Sequence, residues 1–493
     1  LTEQIAQSVD FGGSSITGPS DDLGASPPLP PLAERWARTA VERSSPGPVG
    51  HPLRPKHGGC LDVTRDARQY SLPKLLPDSS GATHMSEIGI RTSGLSPYVA
   101  LPAELESLEN LGISEYQRAA KITDRMRPGI DIPILGLFGE VGSLLAALKK
   151  QTRDHPDREK YAASIKEELG DTLWYLANIA SRTDQDLDVL AQRTVRSISD
   201  WDEVQPNFGT FDDIQSNIKE LTQSEFEAIL ITLAGRVGDL VKDLGSGALT
   251  NNRDRLSGHL VDIFGNLLTA ADAARISLGE AATANLLKVF SRWPLTEEYP
   301  PLIDDGMPDN EQIPRKFEIL IEERKINGKI YVQQKLNGVI IGDRLTDNKR
   351  EKDDFRFHDV FHMSYAVFLG WSPVLRNLLH LKRKSDPIID ENEDGARALL
   401  IEEGVSTFIF QRAIDRDFFK GQTQVDYDLL KSIRDFTRGF EVDRCALWQW
   451  EKAILEACRI FSELKRYRKG YIAADLISHT LEFRRVPEDR RED

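Results

Sequence analysis

The stretch that decides the fold is "GLFGEVGSLLAALKK", Gly136–Lys150, followed closely by "EELGDTLWYLANIA", Glu167–Ala180. Apolar residues recur in both at three- and four-residue steps, the period of an amphipathic helix. Leu144, Leu145 and Leu148 mark the packing face of the first. The same segments keep Glu140, Glu168 and Asp171 beside small residues, although a buried carboxylate is costly unless paired or metal-bound. Glu168 and Asp171 are three apart and leave one face of their helix, as do Glu140 and Ser143. Antiparallel packing across the short "RDHPDRE" break brings the three carboxylates together. Such a cluster repels itself unless it shares a cation, and oxygen donors select a hard ion, Mg²⁺ or Mn²⁺. Gly139, Gly142 and Gly170 are expected to allow close helix approach, and Lys149 and Lys150 to meet a polyphosphate. The plainer alternative makes Glu167 and Glu168 a solvated face near a helix start, and Trp174 and Tyr175 core residues instead of a platform for a base.

Outward from this pair the helical texture continues. "SEYQRAAKITDRM" precedes it and "DLDVLAQRTVRSISDW" follows, making a four-helix unit over 107–201. The next segment repeats the pattern over 210–293: "ITLAGRVGDLVKDL" aligns with "LGLFGEVGSLLAAL", setting Gly235, Val237 and Gly238 against Gly139, Val141 and Gly142. Both copies end on tryptophan, Trp201 and Trp293. After a linker, 315–485 reads as an α+β domain. "KINGKIYVQQKLNGVIIG" alternates apolar and polar residues around Asn327-Gly328 and Asn337-Gly338, the strongest short hairpin signal, so a three-stranded β-meander plus helices is expected. The fold class is mainly α.

Composition bounds the function. The 493 residues carry a formal net charge of -15, which argues against a nucleic-acid partner. Three cysteines without metal spacing suit a reducing compartment, and no apolar run is read as spanning a membrane; a cytoplasmic protein is the expectation. Residues 1–84 hold 11 of the 25 prolines and read as a disordered extension, or as sequence upstream of a start at Met85.

The C-terminal domain has its own cluster. In "RFHDVFHMSYAVFLGW", His358 and His362 are four apart with Asp359 beside them, and "LLIEEGVSTFIF" sets Glu402 and Glu403 inside an apolar helix. Imidazole and carboxylate on facing helices suit a transition metal; a buried hydrogen-bonded pair is the alternative. The basic run Lys382, Arg383, Lys384 reads as a phosphate contact or a solvated face.

The string "GEVGSLLAALKK…EELGDTLWYLANIA" resembles the MazG-like all-α nucleoside triphosphate pyrophosphohydrolases, whose pattern is Glu-x-x-Glu on one helix and Glu-x-x-Asp on the next. The resemblance covers about 107–201 and, more weakly, the repeat. It implies a tandem four-helix MazG-like architecture with Glu140, Glu168 and Asp171 as Mg²⁺ ligands (Mn²⁺ as a substitute). Glu167 or a water on Ser143 would position the nucleophile that converts an NTP or dNTP to the monophosphate and pyrophosphate. Ser143 departs from the pattern by replacing an acid. In the second copy Arg236, Asp239, His259 and Asp262 stand where Glu140, Ser143, Glu168 and Asp171 do. Family members build their bundles as dimers, so the two copies would form a pseudo-dimer within one chain, with Arg236 or Asp239 completing a site, and the chain could form a homo-oligomer. The trailing domain resembles the one that follows MazG-like modules in some bacterial proteins. Two further readings stay open: a catalytically degenerate nucleotide sensor or scaffold, and a separate metal hydrolase in the C-terminal domain.

Overall fold

The computed structural model describes residues 99, 101–102, 108, 110–155, 157–198, 209–215 and 222–486. The expectations for 1–84, Met85 and Trp201 lie outside these residues. The protein is mainly α. Its helical part comprises α1 (Ile113–Ile122), α2 (Asp131–Asp154), α3 (Arg158–Arg182), α4 (Leu187–Ile198), α5 (Phe211–Ile214), α6 (Gln223–Gly245), α7 (Arg253–Ala274) and α8 (Leu278–Arg292). The turns between them are built by short polar residues. Asp157 caps α3 by accepting from Glu159 N at 2.8 Å, and Ser277 caps α8 by accepting from Glu280 N at 3.1 Å; each satisfies a donor the helix leaves free.

One apolar core runs through all of these helices, from Ile134, Leu137 and Val141 of α2 to Leu260, Phe264 and Leu267 of α7 and Leu286 and Phe290 of α8. The two halves interlock: α2 packs on α6, α3 on α8 and α4 on α7. Equivalent polar latches recur in both. Gln117 accepts from Leu187 N and donates to Gln185 O, both at 2.8 Å. Gln215 accepts from Leu278 N at 2.6 Å and donates to Ile276 O at 2.8 Å. Each glutamine thereby ties the start of the last helix of its half to the first.

By length and composition alone α2 could cross a membrane, with a mean hydropathy of 1.6 over an 18-residue window. One face of it serves the bundle, with Ile134, Leu137 and Leu144 fully buried, while Leu135 and Phe138 are exposed. The close helix approach falls at Gly170 alone among the three glycines expected there: a Cβ would meet Ala281 O at 2.7 Å and Asn285 Cβ at 2.9 Å. Gly139 and Gly142 face open space on the exposed side of α2.

The C-terminal part places β1 (Lys316–Ile326), β2 (Lys329–Leu336) and β3 (Val339–Leu345) ahead of α9 (Asp359–Leu369), α10 (Pro373–Leu379), α11 (Pro387–Asn392), α12 (Ala396–Ile414), α13 (Tyr427–Thr437) and α14 (Leu447–Tyr467), then β4 (Lys469–Asp475) and β5 (Thr480–Arg484). Both Asn-Gly pairs form two-residue hairpin loops with positive φ throughout: Asn327 49°, Gly328 79°, Asn337 51° and Gly338 81°. The meander extends to five antiparallel strands in the order β3-β2-β1-β4-β5, because the chain leaving α14 returns to pair with β1. Phe317, Ile319 and Ile321 alternate inward from β1, and α9, buried from Val360 to Leu369, lies in the same core as α14.

Candidate functional site

Antiparallel α2 and α3 bring ligand atoms of Glu140, Glu168 and Asp171 within 4.8 Å of one another. Burial, then the charges of Asp171 and Glu168, push Glu140 up to about 8. Glu140 thus keeps a proton near neutrality and donates it to Glu168, which burial and Asp171 also push upward. Two carboxyls forced to share a proton are the mark of acid in excess of counter-charge.

The counter-charge comes from elsewhere in the chain. Lys288 of α8, its side chain 12% exposed, forms an ion pair with Asp171 and lies 3.6 Å from Glu167; burial is the largest single influence and works against its charge, but Asp171, Tyr427 and Glu167 together outweigh it and push its pKa upward. Asn285, one turn earlier, donates to Asp171 at 2.8 Å and accepts from the buried Tyr116 hydroxyl at 3.1 Å. Gly170 allows this approach of α8 to α3. Glu167 lies on the Asp171 side of α3 and points about 100° away from Glu168. It meets the C-terminal domain, accepting from Tyr427 Oη at 2.9 Å and pairing with Lys431 Nζ at 2.5 Å. Burial pushes Glu167 up, yet Lys288 and Lys431 bring it down to about 2.

A cavity of about 280 Å³ opens on Glu140, Asp171, Asn285 and Lys288, while Glu167 and Glu168 are not in its lining. Glu140 and Asp171 form its acidic wall, Arg125, Lys288 and Arg292 its basic side, and Trp174, Tyr175, Trp293 and Tyr427 its aromatic side. Trp174 is both lining and core: its Nε1 donates to Thr123 Oγ1 at 3.0 Å, and its ring meets Tyr175 edge-on at 5.0 Å. The ring of Tyr175 fits over Gly136, where a Cβ would come within 2.2 Å of it. Ser143, Lys149 and Lys150 do not line this cavity; the two lysines lie nine and ten residues beyond Glu140, roughly 14 Å along the helix. The cations that do line it are ones the sequence reading missed. The signal was present in "ANLLKVFSRW", where Asn285 and Lys288 interrupt an apolar stripe three apart.

In the second half, the four positions aligned by sequence with Glu140, Ser143, Glu168 and Asp171 carry two acids, Asp239 and Asp262, in place of three. Arg236 lies 3.5 Å from Asp262, so the positions matching Glu140 and Asp171 neutralise each other at the surface. His259 Nε2 lies 2.7 Å from Asp243, which also accepts from Arg255 at 2.9 Å. Arg236 and Asp239 are absent from the cavity lining; the second half contributes through α8, not α6.

In the C-terminal domain, His358, Asp359 and His362 likewise place ligand atoms within 4.8 Å. Glu403 Oε2 lies 3.5 Å from His358 Nε2 and 3.6 Å from His362 Nε2. Glu402 sits behind His362, at 2.8 Å from its Nδ1. Arg383 of the basic run is 1% exposed, paired with Asp394 and Glu441 at 2.7 Å each. It is therefore an internal tie, neither a phosphate contact nor a solvated face.

The fold and this geometry define a helical bundle with a carboxylate-and-cation cavity, joined to an α+β domain. Residues 298–487 match the family model of the MazG C-terminal domain. Among curated proteins, the Gene 37 protein of Mycobacterium phage L5 is 31% identical over 72 residues, 14% of this chain. The chain spans 63% of that relative's length. No solved structure matches the chain significantly.

Proposed function

We propose that the helical part is a divalent-metal-dependent nucleotide pyrophosphohydrolase that converts a nucleoside triphosphate to the monophosphate and pyrophosphate. One observation carries the reading: Glu140, Glu168 and Asp171 converge with too little positive charge, and Glu140 is left holding a proton up to about 8. These oxygens fit a hard divalent ion, Mg²⁺ or Mn²⁺. Such an ion, when bound, supplies charge neutralisation at phosphate and acidification of the attacking water. The chain's own groups do the rest. Lys288 and Arg125 face the polyphosphate across the cavity, Asn285 holds Asp171 in place, and the aromatic side receives the base. The two halves act as a pseudo-dimer, the second lending Lys288 to acids of the first.

A second reading has a specific observation behind it. Lys288 already places one positive charge on Asp171, and Ser143 stands where the resembled family has an acid. A nucleotide sensor that binds without turnover would use the same cavity. The two are separated by incubating the protein with each NTP and dNTP plus Mg²⁺ and quantifying monophosphate and pyrophosphate. Stoichiometric pyrophosphate supports the hydrolase; saturable nucleotide binding with no pyrophosphate supports the sensor.

The charge imbalance has a pH signature. Glu140 binds its proton more tightly folded, to about 8, than unfolded. Its contribution to stability is therefore complete below the ordinary carboxylate range and is lost as pH rises through about 8. Chelator-treated protein is expected to lose on the order of 1–3 kcal/mol between about pH 6 and about pH 9. Glu140→Gln flattens that slope, and millimolar Mg²⁺ reverses it in the parent. A flat urea-midpoint profile in the metal-free parent would remove the charge argument.

A further inference from the structure

The second cluster has the build of a metal centre of a different chemical kind. His358, just ahead of α9, and His362, one turn inside it, both present Nε2 toward Glu403 Oε2 of α12, at 3.5 Å and 3.6 Å. Asp359 Oδ1 lies 3.3 Å from His358 Nε2. These separations are long for hydrogen bonds between charged partners. They match the edges of a coordination shell, since donor atoms about 2.1 Å from a tetrahedral centre lie about 3.4 Å apart.

The far sides of the imidazoles are already committed. His358 Nδ1 lies 2.9 Å from Phe355 O, and His362 Nδ1 lies 2.8 Å from Glu402 Oε1. Acceptors at both Nδ1 atoms make them the protonated nitrogens and turn the Nε2 lone pairs inward. Glu402 is fully buried and is itself fixed by Ser372 Oγ at 2.6 Å and Val374 N at 2.7 Å. Asp359 is held from behind by Gln334. A histidine whose other nitrogen is held by a carboxylate or a main-chain carbonyl is the usual outer arrangement of a metal ligand. His362 is 1% exposed, and its Nε2 has no hydrogen-bond partner among the described residues. That buried, unpartnered nitrogen points into the gap between two carboxylates.

We propose that His358, Asp359, His362 and Glu403 bind a divalent transition metal of the zinc or iron type, with Glu402 as the positioning residue behind His362. Two imidazole nitrogens and two carboxylate oxygens select such a metal over Mg²⁺, which separates this centre from the all-oxygen cluster of α2 and α3. The proposal does not rest on nucleotide hydrolysis. Glu403, its side chain 43% exposed, is the ligand on the solvent side, where exchange with water or an incoming ligand occurs.

The test is a Co²⁺ titration of the full chain in excess Mg²⁺, which occupies the oxygen cluster and is colourless. One equivalent of Co²⁺ with visible bands of tetrahedral intensity, abolished by Zn²⁺, is the expected result. Glu403→Gln alters a half-exposed side chain and leaves the fold intact; it is expected to weaken Co²⁺ and Zn²⁺ binding at least tenfold and shift the bands. Glu402→Gln weakens the same binding by about 10- to 100-fold. Absence of a stoichiometric Co²⁺ spectrum in the parent overturns the proposal. So does binding whose affinity and bands are unchanged in Glu403→Gln, since the metal would then lie elsewhere.

Discussion

Lys288→Met is expected to destabilise the metal-free protein by about 3–5 kcal/mol, the usual consequence of stripping one partner from a buried ion pair. Lys288 sits against Asp171 and Glu167, with its ammonium 4.9 Å from the Tyr427 ring centre. Its removal leaves Asp171 facing Glu140 and Glu168 with Asn285 as its only close polar donor among the described residues. Methionine preserves most of the packing volume, so the loss reports charge and not a cavity. Urea unfolding in the presence of chelator measures it. Added Mg²⁺ is expected to recover a large part of the loss, because the divalent ion supplies the charge that the ammonium no longer does. A midpoint within experimental scatter of the parent would mean that Lys288 does not neutralise the cluster.

Glu168→Gln is expected to act in the opposite sense on stability and far more strongly on turnover. The amide removes one charge from a crowded set of acids, so the metal-free protein becomes no less stable and its slope with pH shallower. The same change removes one of three oxygen ligands on the proposed ion. Nucleotide hydrolysis is expected to fall by roughly 10²–10⁴ in kcat/KM, the range for removing a group that acts on charge developing in the transition state. Pyrophosphate release with Mg²⁺ is the readout, beside equilibrium nucleotide binding. Retained binding with lost turnover assigns Glu168 to the chemistry. Undiminished turnover would dismiss the cluster as the catalytic centre. Opposite stability effects of the two substitutions distinguish an acid-rich site from general damage to the bundle.

How much of this was legible before folding depends on the range over which each interaction acts. The three-residue spacing of Glu168 and Asp171 sufficed to put both on one face of α3, and the acid at Glu140 marked the facing side of α2. The two Asn-Gly pairs sufficed for two hairpins, because residues that tolerate positive φ make a two-residue turn local. The fourth and fifth strands were not legible. "RKGYIAADLISHTLEFRR" is a short alternating run whose partner, β1, lies some 150 residues earlier. Lys149 and Lys150 follow the acids closely in sequence, yet a helix carries them away along its axis. Arg383 looked like part of a solvated basic run, and its burial between Asp394 and Glu441 follows from long-range packing alone.

The sequence by itself determined that α2 and α3 are helices, which side of each carries acid, and where the first two hairpins turn. It also determined that His358, Asp359 and His362 share one end of α9, since all of these follow from the pitch of one local element. Only the tertiary structure decided which cation meets Asp171, that Glu167 belongs to the contact with Tyr427 and Lys431, and that Glu403 faces the histidines while Glu402 stands behind. Backbone geometry sets the direction of a side chain within its own helix. The burial of apolar faces against one another chooses which helix it meets, and that choice is made over the whole core at once.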